Sequence, residues 1–133
     1  MGFNFKESAK RHMDDAVLLE SESRNMNADH HYGYAAESAL AAILNHFSAF
    51  PKDENGDIIP PNHLKKHINE LWPLFDKQLP SGRISAKARI GRNNPFSDWN
   101  VVQRYWCNSS QVNLEQHKRG AKHVMAILTR IVS

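Results

Sequence analysis

The residues with the clearest capacity for chemistry are the lysines and arginines of the second half of the chain. Residues 77–133 hold ten of them against two acidic residues, whereas residues 1–76 hold seven against twelve. The first part therefore carries a formal charge of −5 and the second +8, which together give the net charge of +3. A strongly basic half indicates a polyanionic partner. The alternative is that the two halves neutralise each other within the fold or across a dimer.

The basic residues are concentrated in a stretch that is free of acids. No Asp or Glu occurs between Lys77 and Asp98. Because guanidinium and ammonium groups bind phosphate oxygens, we expect this stretch to attract a nucleotide or RNA. The four residues concerned are Arg83, Lys87, Arg89 and Arg92.

Histidine and cysteine offer a second kind of chemistry, metal binding or nucleophilic attack. Among eight histidines, His63 and His67 are spaced to share one face of a helix and could share one ion. A carboxylate-type metal site in a bundle needs Glu-x-x-His on two helices, and no Glu here precedes a His at that spacing. The single cysteine, Cys107, excludes an internal disulfide, and its neighbour Trp106 favours a buried, inert thiol. We therefore expect no metal and no cofactor.

Apolar residues at helical spacing predict that these groups are carried by helices arranged around a central one. The stretch from Tyr32 to Phe50 has the helical period, and its alanines would let neighbouring helices approach closely. We expect this helix to begin near Asn27 or Asp29. Glu37 is expected on its more polar face.

The remaining helices are predicted from caps, periodicity and breakers. Residues 51–62 contain three prolines and read as an exposed loop, and residues 80–98 read as a basic loop with one helical turn near Ile84 to Ile90. The short helix at Trp99 is expected to have Ser97 or Asp98 as its cap. The predicted helices run from Asn4 to about Ser21, from Asn62 to Phe75 with a kink or an early end at Pro73, from Asp98 to Trp106, and from Asn113 to Val132.

Length and hydropathy bound the class of protein. A chain of 133 residues with 41% hydrophobic content fits one domain, 1–133, with a single core. Because every periodic segment has the helical period, the sequence predicts an all-α up-and-down bundle of four to five helices without a sheet. No apolar stretch approaches the roughly 20 residues of a spanning helix, and the first residues lack a signal-peptide run. We expect a cytoplasmic protein without membrane attachment.

Three stretches together resemble the HEPN superfamily, small helical bundles of nucleotide-binding, toxin-antitoxin and RNA-processing proteins. HYGYAAESALAAIL is similar to the tyrosine- and alanine-rich second helix of that family, with Glu37 in its middle. NHLKKHINEL resembles the family's His-x-Leu third helix, here starting at His63. The third stretch runs from Trp99 to Arg104 and Tyr105 and precedes a long last helix. The resemblance implies a HEPN-like fold over nearly the whole chain.

The chain departs from the ribonucleases of that family. They carry Arg-x4-6-His at the start of a late helix, and Arg92 followed by Asn93 resembles the first half of this motif. Ser97 stands where the histidine would follow, and no histidine occurs between His67 and His117. Without an imidazole there, general acid-base cleavage loses its usual group. We therefore expect no catalytic residue and no metal-independent cleavage.

What the resemblance implies is a binding module for a nucleotide, RNA or a nucleotidyltransferase partner, in a toxin-antitoxin or RNA- and defence-related system. Its best ligand candidates are Arg104 and Tyr105, because a guanidinium can fork onto phosphate and a phenol can stack on a base. Asn93, beside Arg92 in the partial motif, is a further candidate binding residue. Arg104 paired with an acid of the first helix, and Tyr105 in the core, are the structural alternatives.

Two other functions stay open at this stage. One is a ribonuclease whose histidine comes from elsewhere, for instance His117 or His123, and the other is a structural dimerisation bundle. A homodimer is expected in either case, because the aromatic-rich segment from Trp99 to Trp106 would otherwise leave an apolar patch exposed.

Overall fold

The computed structural model describes residues 4–47, 51–54, 59, 66–78, 88–106 and 112–132. Within these ranges no β-strand occurs beyond an isolated bridge at Lys52. The chain is an all-α helical bundle, as its periodicity predicts. None of the described helices is long and apolar enough to cross a membrane. The helices are α1 (Phe5–Ser21), α2 (Asn25–Phe47), α3 (Ile68–Gln78), a 3₁₀ helix (Val101–Tyr105) and α4 (Leu114–Ile131).

Helix α1 begins as predicted and turns into α2 sooner than predicted. The Asn4 side chain accepts a hydrogen bond from the Glu7 N–H at 3.0 Å, which caps the first turn. Ser23 has a φ of 60°, so it reverses the chain in a left-handed conformation, and the Arg24 N–H donates to the Leu19 carbonyl at 2.8 Å. The predicted start of α2 near residue 27 or 29 is therefore wrong. A tight turn needs so few residues that α2 already begins at Asn25.

Helix α2 is the central helix that the alanine-rich pattern predicts. It packs against α1, α3, the 3₁₀ helix and α4. Ala35, Ala36 and Ala39 have no exposed surface, so their small side chains let neighbouring helices come close. The larger side chains that fill the space around them are Tyr32, Leu40, Ile43, Trp72, Phe75, Phe96, Trp99, Ile127 and Leu128.

Helix α3 begins later than predicted. Residues 66 and 67 are not helical, and the predicted cap Asn62 lies outside the described residues. The Ile68 N–H donates to the side chain of Glu37 at 2.9 Å, so a carboxylate from α2 satisfies a free donor at the start of α3. A sequence pattern cannot predict this start, because the capping group belongs to another helix.

Pro73 neither ends nor breaks α3, which continues to Gln78. A proline has no N–H, so the carbonyl of Asn69, four residues earlier, loses its helical partner. The side chain of Asn94 donates to that carbonyl at 2.8 Å. A residue from the following loop thus replaces the missing hydrogen bond, which explains why the helix tolerates the proline.

The predicted helix from Asp98 to Trp106 is shorter than predicted and is a 3₁₀ helix. Asn100, rather than Ser97 or Asp98, caps it: its side chain accepts from the Val102 N–H at 2.9 Å, and its own N–H donates to Gln103 at 3.1 Å. Residues 88–90 are not helical, and the rest of the predicted turn near Ile84 lies outside the described part of the chain. Helix α4 follows Asn113, as predicted.

Gly33 is required where α2 meets Trp99. A Cβ atom at this position would overlap the indole ring of Trp99, which is fully buried. We expect Gly33→Ala to lower the free energy of unfolding by about 1–3 kcal/mol through overpacking. The sign of the change in the free energy of unfolding is diagnostic, because replacing glycine by alanine within a helix normally stabilises the protein by about 1 kcal/mol. Urea unfolding followed by circular dichroism measures the difference, and an unchanged or higher stability would contradict this close contact.

Candidate ligand-binding site

The side chains that organise this site lie beneath it and form the aspartate–histidine network of Asp29, Asp98 and His117, in which Asp29 and His117 are buried and Asp98 is exposed. His117 of α4 is fully buried, and its Nδ1 lies 2.6 Å from Asp29 Oδ1 while its Nε2 lies 2.7 Å from Asp98 Oδ1. Burial acts to lower the pKa of His117, but the hydrogen bonds and charges of the two carboxylates outweigh it and raise the pKa. Both ring nitrogens lie within hydrogen-bond distance of carboxylate oxygens, which accept, so the geometry favours the imidazolium form.

Asp29 also binds residues before and within the 3₁₀ helix. Its second carboxylate oxygen accepts a hydrogen bond from the Gln103 amide, and its backbone carbonyl accepts from the Trp99 indole N–H at 3.2 Å. The Phe96 ring stacks on His117 with 5.4 Å between centroids. One buried aspartate of α2 thus positions the segment that carries Arg104.

Above this network lies the histidine–tyrosine cluster, which we define as His12, His30, His31, Tyr34 and His67. The Nδ1 atoms of His12 and His31 are 3.0 Å apart, so one of these rings donates to the other. His30 Nε2 lies 2.8 Å from the Tyr34 hydroxyl. The ring of His30 stacks on Trp99 at 5.2 Å, and the ring of His67 lies 6.1 Å from the same indole. Trp99 therefore connects the cluster to the core.

Burial keeps two of these imidazoles neutral near pH 7. It lowers the pKa of His30 to about 4, with further lowering by the charges of His31 and Arg104. Burial also lowers the pKa of His12, followed by the effect of His31, and it raises the pKa of Tyr34. The Nδ1 atom of His30 is buried and has no partner among the described residues. His30 and His12 therefore contribute neutral imidazoles to the cluster rather than positive charge.

Glu37 and His67 form a carboxylate–imidazole pair at the edge of the cluster. Glu37 Oε1 lies 2.9 Å from His67 Nδ1 and also accepts the Ile68 N–H at 2.9 Å. Burial raises the pKa of Glu37, although both hydrogen-bonding groups act to lower it. Glu37 lies on the less buried face of α2, as predicted, and its carboxylate is directed at the start of α3. The pair orients His67, whose side chain is 48% exposed and whose Nε2 makes no hydrogen bond to another described residue.

Arg104 and Tyr105 are exposed beside this cluster. The Arg104 guanidinium lies over the Tyr105 ring, 4.9 Å from its centroid, and Tyr105 is 72% exposed. The interaction with Tyr105, and secondarily with Tyr34, raises the pKa of Arg104. Within the described ranges no carboxylate forms an ion pair with Arg104, so the structural alternatives of an acid partner on α1 and of a buried Tyr105 do not hold there.

The other predicted binding residues are not part of this site. Arg89 and Arg92 are exposed, and Asn93 lines a separate cavity beside α4. Arg83 and Lys87 lie outside the described residues. Conversely, most of the cluster was not predicted from the sequence. The usable signal was that His30 and His31 precede Tyr34 at helical spacing on one helix.

Metal binding has no support in the described ranges, where no three His, Cys, Asp or Glu side chains are grouped to hold an ion. The predicted pair of His63 and His67 cannot be compared, because His63 lies outside those ranges.

The aspartate–histidine network can be tested by removing its imidazole. We expect His117→Ala to lower the free energy of unfolding by about 3–5 kcal/mol, because it leaves Asp29 buried without its charged partner. His123→Ala on the same helix is the control, since His123 is exposed and makes one hydrogen bond, to the Ile90 carbonyl. Urea unfolding near pH 6 compares the two variants. Equal losses would contradict the network's role.

A second test uses the pH dependence of stability. Because the pKa of His30 is about 4 in the folded state and about 6.5 when unfolded, the unfolded chain binds more protons between these values. The free energy of unfolding should therefore fall as the pH is lowered from 6.5 towards 4. His30→Phe keeps a ring against Trp99 but cannot be protonated, so it should reduce this fall.

The comparison isolates His30 from other titrating groups. The raised pKa of Glu37 acts in the opposite direction, and the lowered pKa of His12 acts in the same direction. Both groups are present in wild type and variant, so they cancel in the difference between the two pH profiles. Superimposable profiles would contradict a buried, neutral His30.

Comparison with models of known protein families, with curated proteins and with solved structures gives no significant match for this chain.

Proposed function

We propose that this chain binds a phosphate-bearing ligand, a nucleotide or single-stranded RNA, through Arg104 at the histidine–tyrosine cluster. The observation that carries the proposal is the state of Arg104: it is exposed, stacked on Tyr105, and without a carboxylate partner among the described residues. A guanidinium in this state can donate two parallel hydrogen bonds to a phosphate group.

The surroundings of Arg104 favour a base next to the phosphate. Tyr105 offers a largely exposed ring, and base stacking on aromatic rings does not depend on sequence. His12 is partly exposed and stays neutral near pH 7, and its Nε2 makes no hydrogen bond to another described residue, so it can hydrogen-bond to a base or a ribose without adding charge. His67 offers its Nε2 at the edge of the same surface.

The HEPN resemblance supports the same reading, since it implies a binding module when the motif histidine is missing. A nucleotidyltransferase partner, a toxin-antitoxin or defence setting and a homodimer stay predictions. Val102, on the same 3₁₀ helix as Tyr105, is 47% exposed. It would add apolar surface to the predicted dimer contact at this helix.

A metal-independent ribonuclease is the alternative function, and the Glu37–His67 pair is the observation that favours it. His117 has both nitrogens bonded to carboxylates, so it is poorly placed to act as a base. His67 could instead take the proton of the RNA 2′-hydroxyl as its oxygen attacks phosphorus. The bond from phosphorus to the 5′ oxygen would then break, and the protonated His67 would give its proton to that oxygen. A 2′,3′-cyclic phosphate and a 5′-hydroxyl end would result.

The proposal is tested by RNA binding measured at several salt concentrations. We expect Arg104→Ala to weaken binding of a short single-stranded RNA and to reduce the salt dependence by about one unit of log–log slope, because one phosphate contact is lost. Arg130→Ala is the matched control, since Arg130 is an exposed arginine near the end of α4. Fluorescence anisotropy gives both affinities.

The same RNA separates binding from cleavage. Equal affinities and slopes for the two arginine variants would overturn the proposed site. Cyclic-phosphate products with wild type, lost in both His67→Gln and Glu37→Gln, would establish the alternative function. RNA that binds and stays intact would support the proposed binding function.

A further inference from the structure

A second concave site lies on another part of the molecule. A cavity of about 560 Å³ is lined by Trp72 of α3, by part of the 88–106 segment and by one face of α4. It shares no residue with the histidine–tyrosine cluster or with Arg104 and Tyr105. Cavities of roughly 300–1,000 Å³ are the usual size for small organic ligands.

The walls of this cavity are fixed by side chains that bind backbone groups. Trp72 donates its indole N–H to the Gly91 carbonyl at 3.0 Å, and His123 lies 3.2 Å from the Ile90 carbonyl. Gln116 of α4 donates to the Pro95 carbonyl at 2.7 Å. Side chains of α3 and α4 thus hold the irregular segment that forms this wall. The cavity is therefore preformed.

Gly120 lets the loop lie directly against α4. A Cβ atom there would come within 2.6 Å of the Pro95 ring and 2.8 Å of the Phe96 ring. The apolar base of the cavity, which includes Ile90 and Pro95, depends on this close packing.

The polar groups that do not hold the wall converge on the cavity. Asn93 and Ser97 line it, and no hydrogen bond to another described residue engages their side chains. Arg119 also lines it, and its only hydrogen bond within the described ranges runs from Nε to the Glu115 carbonyl at 3.4 Å. Its two terminal amino groups stay available. None of the described residues that line the cavity carries a carboxylate, so no described acid neutralises the charge of Arg119 there.

We propose that this cavity binds a small organic anion, whose carboxylate or phosphate group is held by Arg119, Asn93 and Ser97. Arginine binds either group through two parallel N–H donors, and an amide and a hydroxyl supply further donors. The apolar part of the ligand lies against Ile90, Pro95 and the edge of Trp72. This site is independent of Arg104 and of the proposed RNA binding.

Nuclear magnetic resonance titration of the full chain, labelled with ¹⁵N, tests the site. The probes are benzoate and phenyl phosphate, which share an aromatic ring and differ in the anionic group. Benzyl alcohol is the neutral aromatic control, and inorganic phosphate is the anion that lacks a ring. We expect saturable shifts of the Trp72 indole N–H and the Gly120 amide with at least one aromatic anion, and weaker binding of benzyl alcohol and inorganic phosphate. The aromatic probe that binds more tightly shows whether the site prefers a carboxylate or a phosphate group.

Variants then separate this cavity from the rest of the surface. Arg119→Gln should weaken binding of the better probe about tenfold or more, because a charge-assisted contact is lost. Arg130→Gln, on the same helix, and Arg104→Ala should leave it within about twofold. No saturable shift at about 10 mM probe, where even a millimolar site is filled, would overturn the inference. Equal effects of the Arg119 and Arg130 changes would overturn it as well, whatever RNA binding shows.

Discussion

The bond between Asp29 and His117 is the interaction on which the rest of the bundle depends. Two ionisable side chains from α2 and α4 meet where neither has exposed surface, and a lone charge at that depth would be costly. The cost is offset because Asp29 accepts from an imidazolium and an amide, while the second nitrogen of His117 reaches Asp98 at a more exposed edge. The network ties the two longest helices to the irregular segment between them.

That segment is ordered by side chains rather than by regular secondary structure. Trp99 fills the space that Gly33 leaves open on α2 and donates to the Asp29 carbonyl. Earlier in the segment, the Asn94 side chain donates a hydrogen bond to the Asn69 carbonyl, which Pro73 leaves without its helical partner. The Asn94 contact satisfies a carbonyl that α3 itself cannot satisfy, and the Trp99 contacts fix the indole against α2, so helix and loop specify one another. Arg104 owes its position to this chain of contacts, since the 3₁₀ helix that bears it begins directly after Trp99.

The parts of the fold that could be predicted are those encoded within one helix. Alanines at helical spacing indicate the central helix, and Asn4 followed by Glu7 indicates the cap of α1, because both signals are local. The start of α3 could not be found in this way, since its capping carboxylate is Glu37 of α2. For the same reason the candidate site was predicted only in part. Arg104 and Tyr105 stand out by type, whereas the histidines around Tyr34 come together only when α1, α2 and the start of α3 are packed.

Trp99 joins the aspartate–histidine network to the partly exposed histidine–tyrosine cluster, and this sets the properties of both. Its indole N–H binds the carbonyl of Asp29, while its face lies against His30, the next residue along α2. Asp29 is directed inward by the helix, so His30 is directed at the indole and at the hydroxyl of Tyr34. Burial by these two rings is what keeps His30 neutral. The chemistry of the surface is therefore a consequence of how the core is packed, and a change that displaces Trp99 should alter the pKa of His30 even though the two side chains exchange no hydrogen bond.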